Sequence, residues 1–494
     1  MNIKEAKEFI KNTVKVYLAK DEYGDYKIPV GRQRPIFLLG APGIGKTAIM
    51  EQVAEEMGIA LVSYSMTHHT RQSALGLPFI STKEYGGEKY SVSEYTMSEI
   101  IASVYETMEK SGEKEGILFL DEINCVSETL YPSMLQFLQF KVFGNHSVPE
   151  GWVVVTAGNP PEYNRSVRSF DVVTLDRLKV MEIEPDYPAW KSYAVSNNVH
   201  PAIIAFLDNN KSYFYMMENT VSGMSYVTAR GWEDLSTVIS LYEASAMTVT
   251  EELVAQYIRN EKVTREFTVY YELYNKYKKI YRINEVLHGE ISDEVVKGAQ
   301  GASQDERLAL TAILTDTVKN ELKTSLDRFE DLKDIQPVLR SVLSDNDIPA
   351  GLRKQIEARE VLAQKRKAAG TLSHEVKQKN NRIKALYGEL LSGIEDGQLS
   401  EAYNRLIDDV KADVEQKKKI LRYYFDYISR AFGEESNEML LGVTELTLSK
   451  SASKFLNAFG SEEYGKYSKL LMLDDRTDKL KEEVSNFFDL QGIG

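Results

Sequence analysis

The sequence is poor in cysteine and has no long apolar run. Cys125 is the only cysteine among 494 residues, so no disulfide framework is available and a reducing compartment is expected. No apolar stretch approaches the length that spans a bilayer, and the first residues lack the apolar centre of a signal peptide. We therefore expect a cytoplasmic protein without a membrane span. His68 and His69 have no histidine or cysteine partner at ligand spacing, which argues against a zinc site.

The sequence also has fewer basic than acidic residues, 60 against 74, so its net charge is −14. This balance argues against a surface covered with non-specific nucleic-acid contacts, although it leaves room for a local basic patch. The apolar content of 43% and charged content of 27% are ordinary for a globular protein. The length is too great for a single core, so about three domains are expected.

The most informative stretch is Gly40-Ala41-Pro42-Gly43-Ile44-Gly45-Lys46-Thr47, which matches the phosphate-loop pattern G-x-x-x-x-G-K-[ST]. An apolar run precedes it as a predicted strand, and helix-forming residues from Ala48 follow it. In that context the backbone N–H groups and the helix dipole bind phosphate oxygens. We predict that Gly40–Ala48 binds a nucleotide, that Lys46 reaches its β and γ phosphates, and that Thr47 holds Mg²⁺. The bland alternative is a chance match in a glycine-rich loop.

Two carboxylates follow a second apolar run, Ile117–Leu120, which predicts a central parallel strand. Ligands of open α/β sheets bind at the carboxyl ends of such strands. We therefore predict that Asp121 completes the Mg²⁺ site and that Glu122 is the general base for the attacking water. The alternative is a strand that simply ends in solvated acids.

Two further polar residues are candidates for the same site. Asn159 follows the predicted strand Trp152–Ala157, where its amide would orient water or sense the γ-phosphate, although Asn-Pro is also an ordinary turn pair. Arg230 opens a predicted helix, where a positive charge opposes the dipole. That position suggests another task, such as contacting the γ-phosphate, and a surface arginine is the alternative.

The order of these motifs, with Leu175-Asp176-Arg177-Leu178 added, resembles an AAA+ ATPase over roughly residues 30–280. The strand end Leu120–Asn124 and the insertion after the second predicted strand make the chain similar to the MoxR-like branch. By this resemblance Lys46 and Thr47 belong to Walker A, Asp121 and Glu122 to Walker B. Asn159 is then sensor 1, Arg177 the arginine finger and Arg230 sensor 2. Arg165 and Arg168 lie close to Arg177 and are alternative fingers.

The resemblance also implies a function. It implies an ATP hydrolase that uses Mg²⁺, works as a homo-hexameric ring, and remodels or activates partner protein complexes like a chaperone. A partner with a von Willebrand factor A domain is implied in the same way. The alternatives are a nucleic-acid-directed motor and a chelatase-type subunit that inserts a metal into a cofactor.

The predicted fold is α/β: a P-loop parallel-sheet domain at residues 1–183, a helical lid at 184–285 and an all-helical C-terminal interaction domain at 286–494. Apolar stripes at helical spacing support the last of these. The basic stretch formed by Lys365–Lys367, Lys377, Lys379, Arg382 and Lys384 is interpreted as a solvated helix face, with a nucleic-acid contact as the less favoured alternative.

Overall fold

The computed structural model describes residues 1–68, 70–163, 167–168, 170–197, 199–220, 223–343, 347–372, 374–394 and 399–469. This part of the chain divides into two compact units. The first consists of Met1–Trp190, Thr228–Gly231 and Arg353–Lys384; the second consists of Lys191–Val227, Trp232–Leu352 and the described residues from Ala385 on. The predicted division at residues 183 and 285 stays a prediction.

The strands are β1 (Ile36–Gly40), β2 (Ala60–Ser65), β3 (Pro78–Tyr85), β4 (Glu88–Tyr95), β5 (Gly116–Asp121), β6 (Val142–Phe143), β7 (His146–Ser147), β8 (Trp152–Gly158), β9 (Lys179–Ile183), β10 (Met216–Thr220) and β11 (Gly223–Val227).

The helices are α1 (Ile3–Tyr17), α2 (Lys46–Met57), α3 (Arg71–Leu75), α4 (Glu99–Ser111), α5 (Tyr131–Phe140), α6 (Val172–Leu175), α7 (Tyr187–Ser196), α8 (Pro201–Asn209), α9 (Ala229–Ala244), α10 (Glu251–Tyr257), α11 (Glu261–Ile280), α12 (Ile283–Leu287), α13 (Asp293–Gln300), α14 (Gln304–Val342), α15 (Ile348–Ala368), α16 (His374–Gly393), α17 (Leu399–Phe432), α18 (Asn437–Leu448) and α19 (Lys450–Phe459).

A five-stranded parallel sheet forms the centre of the first unit, in the order β2-β5-β8-β1-β9. The prediction of a parallel α/β domain is therefore confirmed. The residues of β8 are all buried, as are those of β5 before Asp121, because neighbours cover both faces of a parallel sheet. All five strands end at the same edge, which brings the phosphate loop after β1 beside the ends of β5 and β8.

A long hairpin, β3 and β4, lies between α3 and α4 in the first unit, as the turn Tyr85-Gly86-Gly87-Glu88 predicts. Its strands are mostly exposed and pair only with each other among the described residues. A second, much shorter hairpin, β6 and β7, occupies the stretch predicted as turns at residues 141–149. The insertion after β2 contains the extended strands β3 and β4, as its sequence predicts.

The second unit is mainly helical, and the predicted helical C-terminal region is confirmed. Two local predictions differ from the structure. The sequence pattern over Glu251–Tyr281 predicts a single helix, but the structure divides this stretch into α10 and α11. The division arises because the Asn260 side chain accepts a hydrogen bond from Val263 N at 3.0 Å and caps a new helix. The hairpin of β10 and β11 interrupts the stretch predicted as a helical lid.

Proline also has a different role from the predicted one near residue 188. The prolines of Glu184–Pro188 predict a hinge that stops regular structure, but Pro188 lies in the first turn of α7. A helix tolerates proline there because the first N–H groups have no intrahelical acceptor. No helix in the described part of the chain combines the length and apolar character needed to cross a membrane.

Candidate nucleotide site

The phosphate loop, residues 40–47, joins β1 to α2 through two glycines with left-handed backbone. Gly43 has φ +74° and Gly45 has φ +97°, a region that other residues rarely adopt. A Cβ at Gly43 would also lie 2.9 Å from Thr228 Cβ, so the loop packs closely against that residue. Gly45 is the N-cap of α2. The free N–H groups at the helix start therefore face the loop, as anion binding requires.

The Lys46 ammonium is buried inside this loop, with 7% of the residue exposed. It donates to Gly40 O at 2.7 Å, Ala41 O at 2.8 Å and Asn159 Oδ1 at 2.9 Å. Burial lowers the pKa of Lys46 to about 8; the carboxylates of Asp121 and Glu122 oppose this, whereas the charge of Arg230 adds to it. A phosphate in the loop would supply the negative charge that favours the protonated lysine.

Thr47 and Asp121 meet across the sheet edge. Thr47 Oγ1 donates to Asp121 Oδ2 at 3.0 Å, and Asp121 is the last residue of β5. Hydroxyl and carboxylate oxygens are ligands that Mg²⁺ prefers, and in nucleotide sites the metal takes few protein ligands because phosphates and waters supply the rest. The pair therefore fits residues that would hold a Mg²⁺ ion beside a nucleotide. The described residues contain no cluster of three or more His, Cys, Asp or Glu that would hold a metal alone.

Glu122 follows with an unusual backbone, φ 56° and ψ 34°. Its N–H donates to Asp121 Oδ1 at 2.8 Å, which turns the chain sharply at the strand end. Its carboxylate accepts from Ser65 Oγ at 2.7 Å and Thr67 Oγ1 at 2.9 Å. The sequence-based prediction missed both hydroxyls. Ser65 is the last residue of β2 and is directly opposite Asp121 in the strand register, a relation that needs the strand order to be known.

Asn159 follows β8 and is held from two sides. Its side-chain oxygen accepts from Lys46, and its backbone oxygen accepts from Asn124 Nδ2 at 2.8 Å. Asn124 is 3% exposed, and a Cβ at Gly158 would lie 2.4 Å from its Oδ1. The structure thus brings Asn159 to the phosphate loop as predicted for this position, and Asn124 supports it. The catalytic role of Asn159 stays a prediction.

Arg230 is also near the phosphate loop. Its backbone N–H donates to Gly43 O at 3.2 Å, and its charge is close enough to lower the pKa of Lys46. Thr228 Oγ1 accepts from Gly231 N at 3.1 Å and so closes the turn at the start of α9. The structure therefore accounts for an arginine at this helix start by its nearness to an anion-binding loop.

The arginines near residue 177 differ in their surroundings. Arg177 follows α6 and is exposed. Arg168 contacts other residues of the first unit: its guanidinium lies 2.5 Å from Glu128 Oε1 and 5.7 Å from the Tyr131 ring centre. Arg165 lies outside the described residues. Of the two described arginines, Arg177 is the more exposed.

Two exposed valines accompany this arginine. Val172 is 81% exposed and Val173 is 59% exposed, both on α6. Asp171 caps this short helix, because its carboxylate accepts a hydrogen bond from Thr174 N at 2.8 Å. Hydrogen bonding to Thr174 lowers the pKa of Asp171, and the charge of Arg177 lowers it further. Apolar side chains beside an exposed arginine are typical of a surface that a partner covers.

The N-terminal segment does not contribute to this edge of the sheet. From the sequence alone, Tyr26 and Ile28, which precede β1, are candidates for contacting an adenine, and a packing arm is the alternative. Tyr26 instead donates to Glu115 Oε1 at 3.0 Å, beside the first residue of β5, whereas the phosphate loop follows the last residue of β1. Gln33 Nε2 donates to Ile28 O at 3.0 Å, which fixes this segment as a packing arm.

Comparison with known proteins bears on this site. Residues 36–170 match the family model "ATPase family associated with various cellular activities (AAA)". No curated protein matches the chain. Among solved structures, "Crystal structure of FIGL-1 AAA domain in complex with ADP" is similar at 13% identity, over 54% of this chain and 80% of that chain, with a TM-score of 0.30. The family match covers β1 through Phe170 and so includes the phosphate loop, Asp121, Glu122 and Asn159.

Proposed function

We propose that the AAA ATPase domain at residues 36–170 hydrolyses Mg-ATP, with Glu122 as general base. The observation that carries this proposal is the meeting of Lys46, Thr47 and Asp121 at one edge of a parallel sheet, with Glu122 next in the chain. These are the groups that phosphoryl transfer needs: a lysine for phosphate charge, oxygens for the metal, and a base for water.

Each residue of the site has a distinct part in the proposed reaction. The N–H groups of the phosphate loop and Lys46 bind the β and γ phosphates. Thr47 and Asp121 would hold Mg²⁺, which would supply positive charge beside those phosphates. Glu122 takes a proton from the attacking water. Asn159, held by Asn124 and bonded to Lys46, orients that water, and Arg230 stabilises the γ-phosphate.

The proposal extends to a ring, because Arg177 is exposed and AAA domains commonly form hexamers. In a ring Arg177 of one subunit would enter the site of the next and stabilise the transferring phosphoryl group. The exposed Val172 and Val173 support this assignment, since burying them against a neighbour would stabilise the contact.

The cellular role that we propose is chaperone-like remodelling of a partner complex, as in the MoxR-like branch. It rests on the order of the motifs and on the exposed β3–β4 insertion, which offers a surface for a client. A partner with a von Willebrand factor A domain rests on the resemblance alone. Nucleotide-dependent movement of the ring would then be transmitted to that partner.

Glu122→Gln tests the chemistry. It keeps the shape of the side chain but cannot accept the proton, so we expect ATP binding within a few-fold of wild type and turnover reduced by about 100-fold or more. Binding is measured with a fluorescent ATP analogue and turnover by phosphate release. Glu113→Gln is the matched control, since Glu113 is exposed and precedes β5 at the opposite edge of the sheet. Near-normal turnover by Glu122→Gln would show that another group is the base.

The same variant tests the role. Glu122→Gln in ATP should hold a partner that wild type releases, so affinity purification in ATP and in ADP should recover that partner only in ATP. Lys46→Ala is the control, because it loses the phosphate contact and should recover nothing in either nucleotide. Equal recovery by all three proteins would contradict nucleotide-dependent remodelling but would leave the ATPase assignment intact.

A further inference from the structure

Positive charge is concentrated in one segment of this acidic chain. Residues 353–384, which we call the basic hairpin, contain ten Lys or Arg and three Glu, whereas the whole chain has a net charge of −14. The segment comprises the later part of α15, a turn and the first part of α16, and it belongs to the first unit with the parallel sheet. A local excess of this size creates a positive potential on an otherwise negative protein.

The tip of the basic hairpin is fixed to the edge of the sheet. Leu61 N, in the edge strand β2, donates to Ala369 O at 2.8 Å, and Ala369 is 4% exposed within the core of that sheet. Gly370 has φ +68°, and a Cβ there would lie 2.4 Å from Leu61 O. The close approach requires glycine at this position. The tip is therefore a rigid support rather than a free loop.

The two helices of the basic hairpin also contact each other. Asn380 Nδ2 donates to Arg359 O at 3.2 Å, and Lys384 Nζ lies 2.5 Å from Glu360 Oε1. Thr371 N donates to Arg366 O at 2.9 Å and so closes the turn. The charged side chains of the tip, Lys365–Lys367, are exposed and make none of these contacts through their charged groups.

Four basic side chains of the hairpin have no acidic partner. Lys365, Arg366, Lys367 and Lys377 are exposed, and none has an ion pair among the residues that the structure describes. Elsewhere in the first unit exposed lysines pair with glutamates, as Lys110 does with Glu106 at 2.8 Å. Unpaired cations held on a fixed support attract a polyanion at little entropic cost.

We propose that the basic hairpin binds the sugar–phosphate backbone of a nucleic-acid duplex without reading its sequence. The basic residues of α15 run from Arg353 to Lys367, about 21 Å along the helix axis, a distance comparable to several successive phosphates. A membrane fits less well, because exposed large apolar side chains on the hairpin are confined to Val361 and Leu362, too few to enter a bilayer. Binding to the acidic surface of a second copy is the competing outcome of the test.

The triple variant Lys365→Gln, Arg366→Gln, Lys367→Gln removes the tip charges and keeps good helix formers. Its matched control is Lys411→Gln, Lys418→Gln, Arg430→Gln on α17, which removes three charges that are partly exposed and already paired with acids. Both variants are compared with wild type as full chains in the presence of a non-hydrolysable ATP analogue. Binding is measured by the fluorescence anisotropy of labelled DNA and RNA duplexes of about 30 base pairs, at salt concentrations from roughly 50 to 200 mM.

We expect the tip variant to bind both duplexes about 10- to 100-fold more weakly and to lower the slope of log K against log salt by about 2 to 3, close to one per charge. The control should bind within about threefold of wild type. Lys377→Gln alone should lower the slope by about one, which keeps the test valid if the triple variant misfolds by circular dichroism. A change with only one of the two duplexes would identify which nucleic acid the hairpin prefers.

Equal weakening by the tip and control variants, or no wild-type binding at low salt, would overturn the proposal. So would wild-type binding to phosphatidylserine vesicles alone. Loss of self-association on a sizing column with nucleic-acid binding retained would assign the hairpin to a second copy instead. The assay requires no hydrolysis, so Glu122→Gln should bind the duplex as wild type does, and failure of the ATPase proposal would leave this result unaffected.

Discussion

The hydroxyl of Ser65 determines where the Glu122 carboxylate is held. Ser65 ends β2, which pairs with β5 on the side away from β8 and β1, and the phosphate loop follows β1. The bonds from Ser65 at 2.7 Å and Thr67 at 2.9 Å therefore hold the carboxylate toward the edge of the sheet. We predict that Ser65→Ala releases it and raises ATP turnover.

The expected size of the effect follows from the strength of one hydrogen bond. A bond to a charged acceptor contributes about 1.5 to 3 kcal/mol, and the Thr67 hydroxyl remains in the variant, so the lower end applies. About 1.4 kcal/mol changes the ratio of held to released carboxylate tenfold. We expect kcat to rise by up to about tenfold, with KM for ATP little changed, because Ser65 does not contact the phosphate loop.

The assay is steady-state phosphate release at saturating ATP, with Ser63→Ala as the control. Ser63 has its own hydroxyl on β2 two residues earlier, opposite Phe119 rather than Asp121, and it makes no bond to Glu122. The reasoning is refuted if Ser65→Ala lowers kcat while Ser63→Ala does not, since the hydroxyl would then orient the base for catalysis.

Three other predictions follow from the structure. Arg177→Ala should bind ATP but lose most turnover, and mixing it with Lys46→Ala should restore part of it, whereas no restoration would remove the inter-subunit role. The hydrogen bond from His200, 3.3 Å away, lowers the pKa of Glu243 to about 2, so Glu243→Gln should cost about 2 kcal/mol of unfolding free energy above pH 4.5. The difference from wild type should shrink as the pH falls toward 2, and a pH-independent difference in melting temperature would contradict this. Burial raises the pKa of Asp316 to about 6, so the charged carboxylate destabilises the folded protein above pH 6, whereas below pH 4 the carboxyl is protonated in both states and has no such effect. Asp316→Asn should therefore stabilise the fold by about 1 kcal/mol at pH 7.5 and not at pH 4, measured by urea unfolding.

The sequence predicted which polar residues lie together at this edge of the sheet, because each element there combines a short apolar run with a polar end. The phosphate loop, Asp121, Glu122 and Asn159 each lie at or just after the end of a buried strand, and parallel strands end together. Because of this rule, residues that are far apart in the chain can be predicted to lie at one edge of the sheet even when the strand order is not known.

What the sequence could not supply depends on contacts between distant segments. Ser65 and Thr67 are ordinary hydroxyl residues until β2 is known to be next to β5. Tyr26 looks available for adenine until its bond to Glu115 places it at the other edge. The break at Asn260 was missed because helix periodicity continues on both sides of it, while a single capping side chain decides the boundary.

A buried ion network in the second unit shows the same dependence on distant contacts. The carboxylate of Glu445, in α18, lies 3.0 Å from Lys191 Nζ and 2.5 Å from Lys319 Nζ, and Lys191 also lies 2.9 Å from Asp208. Burial opposes ionisation of Glu445, but the charges of Lys319 and Lys191 outweigh it and hold the pKa of Glu445 below its ordinary range. The network joins segments that the sequence assigns to a lid and to a separate C-terminal domain.

Glu445→Gln tests how strongly that network couples the two segments. It leaves Lys319, of which 11% of the side chain is exposed, without its carboxylate, so we expect a loss of about 2 to 3 kcal/mol in unfolding free energy at neutral pH. Glu330→Gln is the matched control on an exposed pair, Lys454–Glu330, and should cost no more than about 0.5 kcal/mol. If both variants cost the same in urea unfolding, the network does not couple these segments. If only Glu445→Gln is costly, the residues after 285 stabilise the segment that contains Lys191. A chain cut after residue 285 would lose Glu445 and leave Lys191 with Asp208 alone. Lost ATPase activity in that fragment would then indicate misfolding rather than the absence of the C-terminal interaction domain.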